Sequence, residues 1–222
     1  MKRIVLISVF AAIAFAGCKK KENTISKLVT VSYPTITITS GQFFSFPVGG
    51  GPLPNANSIT ATAYDSFYHE KLTPVVDASK LSSLLPGLYI ATISARNSYG
   101  FVGYNYVYVA ITNITDSINL GGKYVRLSNN DTVNVAKMSR GLYRIDNVGG
   151  ERNVAGTSQL IVPGYFAQQP GSGLDMPTQP SKQGTFAGAG GAISMAIGDT
   201  TFQYVITGNS NFNSALRVFQ KL

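Results

Sequence analysis

The chain has 222 residues, with 18 Lys and Arg against 10 Asp and Glu, a formal net charge of +8, one His, one Cys and no Trp. A single cysteine excludes a disulfide framework and, with a single histidine, the usual zinc-ligand sets; outside Lys19-Lys20-Lys21 the Lys and Arg, scattered from Lys27 and Lys71 to Arg140 and Arg217, form no run or helical stripe, so they read as a solvated surface and no nucleic-acid partner is expected. The 23 Gly, 10 Pro, 12 Tyr and 12 Phe with only 13% charged residues describe short strands and many turns, and no window beyond the first seventeen residues keeps a helical period over three turns, so the fold class is all-β.

Lys2 and Arg3, an apolar stretch over residues 4–15 and the small residues Ala16 and Gly17 before Cys18 form the three zones of an export signal. The apolar stretch is shorter than the roughly 20 residues a spanning helix needs. Phe15-Ala16-Gly17-Cys18 resembles the lipobox of bacterial lipoproteins, which implies a signal peptide over residues 1–17, an acylated Cys18 (palmitate-type chains) and a lipidated tether over residues 18–27. Removing the first 17 residues leaves 205; two of the 18 basic residues go with them, leaving 16 against 10 acidic and a net of +6. Each buried methylene contributes roughly 0.8 kcal/mol, so two or more acyl chains hold a protein on a bilayer. Lys19 in place of Asp after the cysteine is similar to lipoproteins sent to the outer membrane. The patch Lys19-Lys20-Lys21-Glu22 is mostly basic, where Bacteroidetes surface export uses largely acidic ones, and surface and periplasmic faces both stay open.

From Val29 on the chain alternates and breaks. Thr35-Ile36-Thr37-Ile38-Thr39 is a strand with two isoleucines on a core face, Ser40-Gly41 turns it, and Phe43, Phe44 and Phe46 follow. Residues 47–57 are a Gly/Pro-rich loop, 59–64 a strand, Asp65-Ser66 a turn, and 77–85 one or two helical turns stopped by Pro86-Gly87. Residues 88–95 and 101–111 read as a hairpin around Asn97-Ser98-Tyr99-Gly100. Short strands restart at 122–126, 132–138 and 141–145; residues 163–185 read as loop, 186–197 as glycine-rich strand or loop, and 200–207 and 215–219 as closing strands.

Leu85-Pro86-Gly87-Leu88-Tyr89 and the Asn97-x-x-Gly100 turn resemble the last two strands of bacterial immunoglobulin-like domains, which implies a β-sandwich over residues 28–113 with Tyr89 in the tyrosine-corner position and Ala91 where antibody domains carry a cysteine. Residues 114–222 then form a second antiparallel β domain, either a sandwich or a barrel-like meander. Gly122-x-Tyr124-x-Arg126, Gly141-x-Tyr143-x-Ile145-x-Asn147-x-x-Gly150 and Pro177-x-Gln179-Pro180-Ser181, on an anchored chain with that first domain, resemble the Bacteroidetes lipoproteins of unknown function found beside starch-utilisation-type glycan importers. The resemblance implies a carbohydrate-binding accessory role at the outer membrane, with polysaccharide or oligosaccharide and importer components as partners.

Catalytic chemistry finds little to use. His69, in Phe67-Tyr68-His69-Glu70, has no nucleophile elbow to serve. Asp65, Asp77, Asp116, Asp131, Asp146, Asp175 and Asp199 are not spaced as a calcium loop, and a glycosidase pair, for instance Asp146 with Glu151, is marked by nothing in the spacing. The string Gly184-Thr185-Phe186-Ala187-Gly188-Ala189-Gly190-Gly191 lacks the Lys-Ser/Thr of a phosphate loop. No enzyme, metal or cofactor is expected. In Tyr104-Asn105-Tyr106-Val107-Tyr108-Val109, alternation sends the valines to one face and Tyr104, Tyr106 and Tyr108 to the other, a ridge suited either to sugar faces or to packing on a neighbouring strand or the second domain. Tyr165, Phe166, Gln168 and Gln169 in the long loop are a second candidate set.

Overall fold

The structure, a computed structural model, describes residues 30–55, 57–151, 161–196 and 199–222. Cys18 and its tether lie outside them. Residues Ser32–Leu222 form one compact unit, built of strands and a single 3-10 turn, with no α-helix among the described residues.

The first seven strands are β1 (Thr35–Ile38), β2 (Phe43–Phe46), β3 (Ala61–Asp65), β4 (Glu70–Leu72), β5 (Val75–Asp77), β6 (Gly87–Arg96) and β7 (Val102–Ile111). They make two sheets, β1-β3-β4 and β2-β7-β6-β5, antiparallel except for the parallel β2–β7 pair. Alternation explains the layer between them: Ile36, Ala63, Ala91, Ile93, Ala95, Val107, Val109 and Ile111 all point into one cluster. Tyr89 donates from Oη to the Leu85 carbonyl at 3.0 Å, closing the corner that its sequence position implied. The helical turns expected over 77–85 do not form. Asp77 Oδ1 takes the Ser79 amide (3.0 Å) and Ser82 Oγ the Leu84 amide (3.3 Å), and such local bonds compete with a helix ladder.

The remaining eight strands are β8 (Gly122–Arg126), β9 (Thr132–Ser139), β10 (Leu142–Ile145), β11 (Gly164–Gln168), β12 (Leu174–Ser181), β13 (Gly184–Ala196), β14 (Asp199–Thr207) and β15 (Leu216–Lys221). Each pairs antiparallel with the next and β15 returns to β8, a closed up-and-down barrel. Residues 163–185, read from sequence as loop, therefore supply β11 and β12. The prolines and glycines that suggested a loop are accommodated as irregularities in the sheet. Pro177 has no amide hydrogen to give, and the ladder slips between Met176 and Gln179. There the Gln179 side chain stands in for a backbone unit: Oε1 accepts the Tyr165 amide and Nε2 donates to the Tyr165 carbonyl, both at 2.8 Å. The glycine string is a bulged strand, with Gly190 at φ +63° and a Gly191 whose Cβ would sit 2.2 Å from the Leu174 carbonyl.

Eight strands enclose about the volume their own side chains fill. Tyr124, Tyr143, Phe166, Phe186, Phe202, Tyr204 and Phe219 are at most 1% exposed, and the Phe202 ring lies 4.8 Å from Tyr124 and 4.9 Å from Phe219. The barrel is a packed core. Two arginines lie within it, against the expectation of a solvated basic surface: Arg217 is 0% and Arg126 5% exposed. Arg126 Nη1 donates to Glu151 Oε1 (2.6 Å) and to the Gly149 carbonyl, while Arg217 holds the Asn213 and Ala215 carbonyls, so loop oxygens and one carboxylate replace water.

Candidate functional site

The sheet β2-β7-β6-β5 is covered on both faces. Its odd-numbered β6 and β7 residues fill the sandwich; Leu88, Tyr108 and Ala110 on the other face join Leu142 and Ala167 of the barrel in a separate apolar cluster. That double coverage makes residues 107–111 continuously buried, the signature of a strand with no solvent side. Polar pins flank the contact: Leu88 N–H donates to Asp175 Oδ2 (2.7 Å), Thr112 Oγ1 to the Gln168 carbonyl (2.8 Å) and Ser45 Oγ to the Arg140 carbonyl (2.6 Å).

The tyrosine ridge runs obliquely across this contact and leaves it. Tyr108 is 6% exposed and stacks on Tyr165 with ring centroids 3.9 Å apart, and both rings meet Phe43. Tyr106 is half-buried, and Tyr104 is 59% exposed. Burial raises the phenol pKa of Tyr106, helped by its neighbour Tyr104; burial raises that of Tyr108 further, with Tyr165 and Tyr106 adding to it. The ridge is thus graded from barrel contact at Tyr108 to solvent at Tyr104.

Three recesses meet along this line, and Pro180 of β12 lines all of them. One, about 400 Å³, lies between Tyr108, Tyr165, Pro163 and Lys182. A second, about 350 Å³, is bounded by Lys80, Tyr89, Ile90, Tyr106 and Pro177. The third, shallower and about 900 Å³, runs past Tyr33, Tyr104, Tyr106 and Lys182. Together they form a groove with tyrosines on the sandwich wall and the Pro177–Lys182 segment on the barrel wall.

Of the residues singled out from sequence, Tyr104, Tyr106, Tyr108 and Tyr165 come together here. Phe166 does not. The alternation that turns Tyr165 outward turns Phe166 into the barrel, where it is 0% exposed and 5.5 Å from the Tyr143 ring, so it can touch no ligand in the groove. Gln168 is buried at 1%, and Gln169 Nε2 donates to the Pro86 carbonyl at 3.3 Å; both are fastened within the body of the chain. Lys80, Lys182 and Pro180 carried no signal as site residues; Pro180 stood out only as part of the Pro-x-Gln-Pro-Ser pattern.

His69 lies in the exposed β3–β4 turn at φ +55°, its Nδ1 3.3 Å from the Tyr64 hydroxyl. Asp146 is bound to the amide and side chain of Asn134, and Glu151 to Arg126, so each carboxylate of the suggested pair has a structural partner of its own. Among the described residues no three His, Cys, Asp or Glu side chains gather, and no helix is long and apolar enough to cross a membrane.

No protein-family model matches the chain, and no curated protein matches it. Among solved structures it is similar to a lipoprotein of Bacteroides thetaiotaomicron, at 13% identity over 85% of this chain and 100% of that one, with a TM-score of 0.34.

Proposed function

We propose that the chain is a non-enzymatic accessory lipoprotein, anchored to the outer membrane through acylated Cys18, that binds or presents a glycan beside an importer. The reading rests on one observation: Tyr104, Tyr106 and Tyr108 border recesses that converge on Pro180. Flat phenol faces suit the apolar faces of sugar rings, their hydroxyls suit sugar hydroxyls, and Lys80 and Lys182 add cationic donors at the rim. An elongated groove open at its Tyr104 end suits a chain more than a single small molecule.

Calorimetry of the full-length protein against a polysaccharide panel tests this. Tyr106→Ala and Tyr104→Ala each lower affinity about tenfold, equivalent to roughly 1.4 kcal/mol. If the wild type is retained by no glycan on the panel, the binding reading fails. Mass spectrometry of protein from its native host tests the anchor separately.

A second reading, a structural or adhesion lipoprotein that docks protein partners without sugar, is favoured by the burial of Tyr108 against Tyr165, which makes the inner third of the ridge an interface already. It predicts that a membrane partner copurifies and that added saccharide leaves the complex intact.

A further inference from the structure

A second group of aromatics lies beyond the Tyr33 end of the groove, on the two hairpin turns β3–β4 and β6–β7. Phe67 is 55% exposed and Tyr99 37%. Tyr68 joins them, its ring 4.1 Å from Tyr99 in a stack and 5.0 Å from Phe67 edge-on. Tyr64, 41% exposed, stands at the foot of the same turn. The two turns are tied to each other: Ser98 donates from its backbone amide and its hydroxyl to the Glu70 carboxylate. Below them Asp65, 0% exposed, accepts from Asn97 Nδ2 (2.7 Å), Ser32 Oγ (2.8 Å) and the Phe67 and Tyr68 amides. Exposed rings on a backbone held this firmly form a preformed apolar tip.

Its position decides what covers it. Ser32, the first residue of the compact unit, is the residue that bonds Asp65, and Asn97 Nδ2 also donates to the Ser32 carbonyl (3.1 Å). The chain coming from Cys18 therefore reaches the body at the base of this tip. Cys18 precedes Ser32 by 14 residues, and such a stretch spans at most about 50 Å at full extension. The tip is also the far end of β6 from the barrel pin at Leu88; β6 is ten residues long, so about 30 Å separates them. Lys71 and Arg96 border the tip, and Lys19-Lys20-Lys21 precede it in the chain. Tyrosine and phenylalanine with a cationic surround are the residues that settle at the boundary between headgroups and acyl chains.

We infer that Phe67, Tyr68 and Tyr99 form a membrane-docking tip that enters the bilayer interface beside the lipid anchor and stands the sandwich upright, with the barrel contact at Leu88 directed away from the membrane. This rests on the acylated Cys18 of the proposed function and goes beyond it, since a lipid anchor by itself fixes no orientation.

The test uses the absence of tryptophan from the chain. Full-length lipidated protein carrying Tyr99→Trp, Phe67→Trp or, as a control at the other end of β6, Leu84→Trp is reconstituted in phosphatidylethanolamine–phosphatidylglycerol vesicles with acyl chains brominated near the headgroup. Interfacial insertion of roughly 5–10 Å brings the tip rings among the bromines, so Tyr99→Trp and Phe67→Trp lose about half their fluorescence and Leu84→Trp keeps its own. Equal quenching at both ends, or none at the tip in protein that floats with the vesicles, overturns the docking and leaves the anchor standing. A blue-shifted but unquenched tip means that protein covers it instead, and overturns the proposal as well. Protein that fails to float overturns the anchor, and the docking with it.

Discussion

The aromatics inside the barrel and those along the outer face of β7 stand on the same kind of alternating strand, yet they do different work. Inside, rings pack on rings, and Phe202 lies within 6.1 Å, centroid to centroid, of Tyr124, Phe166, Tyr204 and Phe219. Along β7 the surroundings thin out residue by residue, from Tyr108 stacked on Tyr165 to Tyr104 in solvent. Composition does not separate these populations; closure does. A closed barrel gives every inward side chain a partner, whereas a sheet packed obliquely on a barrel covers part of a face and leaves the remainder as a groove.

The largest effect that bears on this contrast is in the barrel. Phe202→Ala removes a ring 1% exposed and lowers the unfolding free energy by about 3–5 kcal/mol, read by urea denaturation. A loss under about 1 kcal/mol would mean that the interior is not the close-packed core its geometry shows. Next is Glu151→Gln. Glu151 stands 2.6 Å from Arg126 and 3.9 Å from Arg217, and its side chain keeps 19% exposure. Breaking a buried pair costs about 3–5 kcal/mol, and partial exposure places this one near 2–3 kcal/mol. Replacing Arg126 with Met in the same chain recovers part of the loss, because one unmatched buried charge is then gone.

How much of this was legible in the sequence follows from the same contrast. The period-two pattern of Ile36 and Ile38, of the strand after Pro86-Gly87, and of Val107 against Tyr108 identified the sandwich strands, because alternation survives wherever one face is buried. It misled in β11 and β12 and left β13 open between strand and loop. In β12 Pro177 sits at a slipped register, and in β13 glycines form a bulge, so residues that usually signal loops are built into a sheet. Phe166 was misplaced for a related reason: once residues 163–185 were read as loop, nothing assigned alternate faces to Tyr165 and Phe166. Arg126 and Arg217 looked like surface charge because, Glu151 and the Asn213 side chain apart, their partners are the Gly149, Asn213 and Ala215 carbonyls, backbone atoms with no sequence signature. The tyrosine ridge was visible as a ridge, but its second wall comes from a strand some 70 residues later in the chain, and only the tertiary packing of β12 on β7 creates the groove.

Within the ridge a smaller effect separates its two ends. Tyr108→Ala opens a cavity against Tyr165 and Phe43 and lowers stability by about 2–3 kcal/mol, whereas Tyr104→Ala changes it by less than about 0.5 kcal/mol. Thermal melts of the two variants measure the gradient directly. Equal losses would make the ridge a uniform packing element and remove the groove's free wall.

The smallest effect, and the sharpest in sign, contrasts two carboxylates. Burial pushes the Asp65 pKa up, but hydrogen bonds from Asn97, Ser32 and the Tyr68 and Phe67 amides outweigh it, and the carboxyl lies below its ordinary value. Burial also raises Asp175, at the contact between β6 and the barrel; only the Leu88 amide opposes it, and the pKa stays above the ordinary value. The linkage signs are therefore opposite. Asp65 contributes stability that is present above the unfolded value of about 4 and is lost as pH falls through its lower folded pKa. The contribution of Asp175 is complete below about 4 and is lost as pH rises through its higher folded pKa. Stability measured from neutral pH downward thus declines less steeply at acid pH in Asp65→Asn than in the wild type. In Asp175→Asn, which keeps an oxygen for the Leu88 amide, it declines more steeply, because the compensating gain from protonating Asp175 is gone. Identical acid limbs in the wild type and Asp175→Asn would show that this carboxylate is solvated, and that the sandwich and barrel meet there less closely than 2.7 Å between Leu88 N and Asp175 Oδ2 requires.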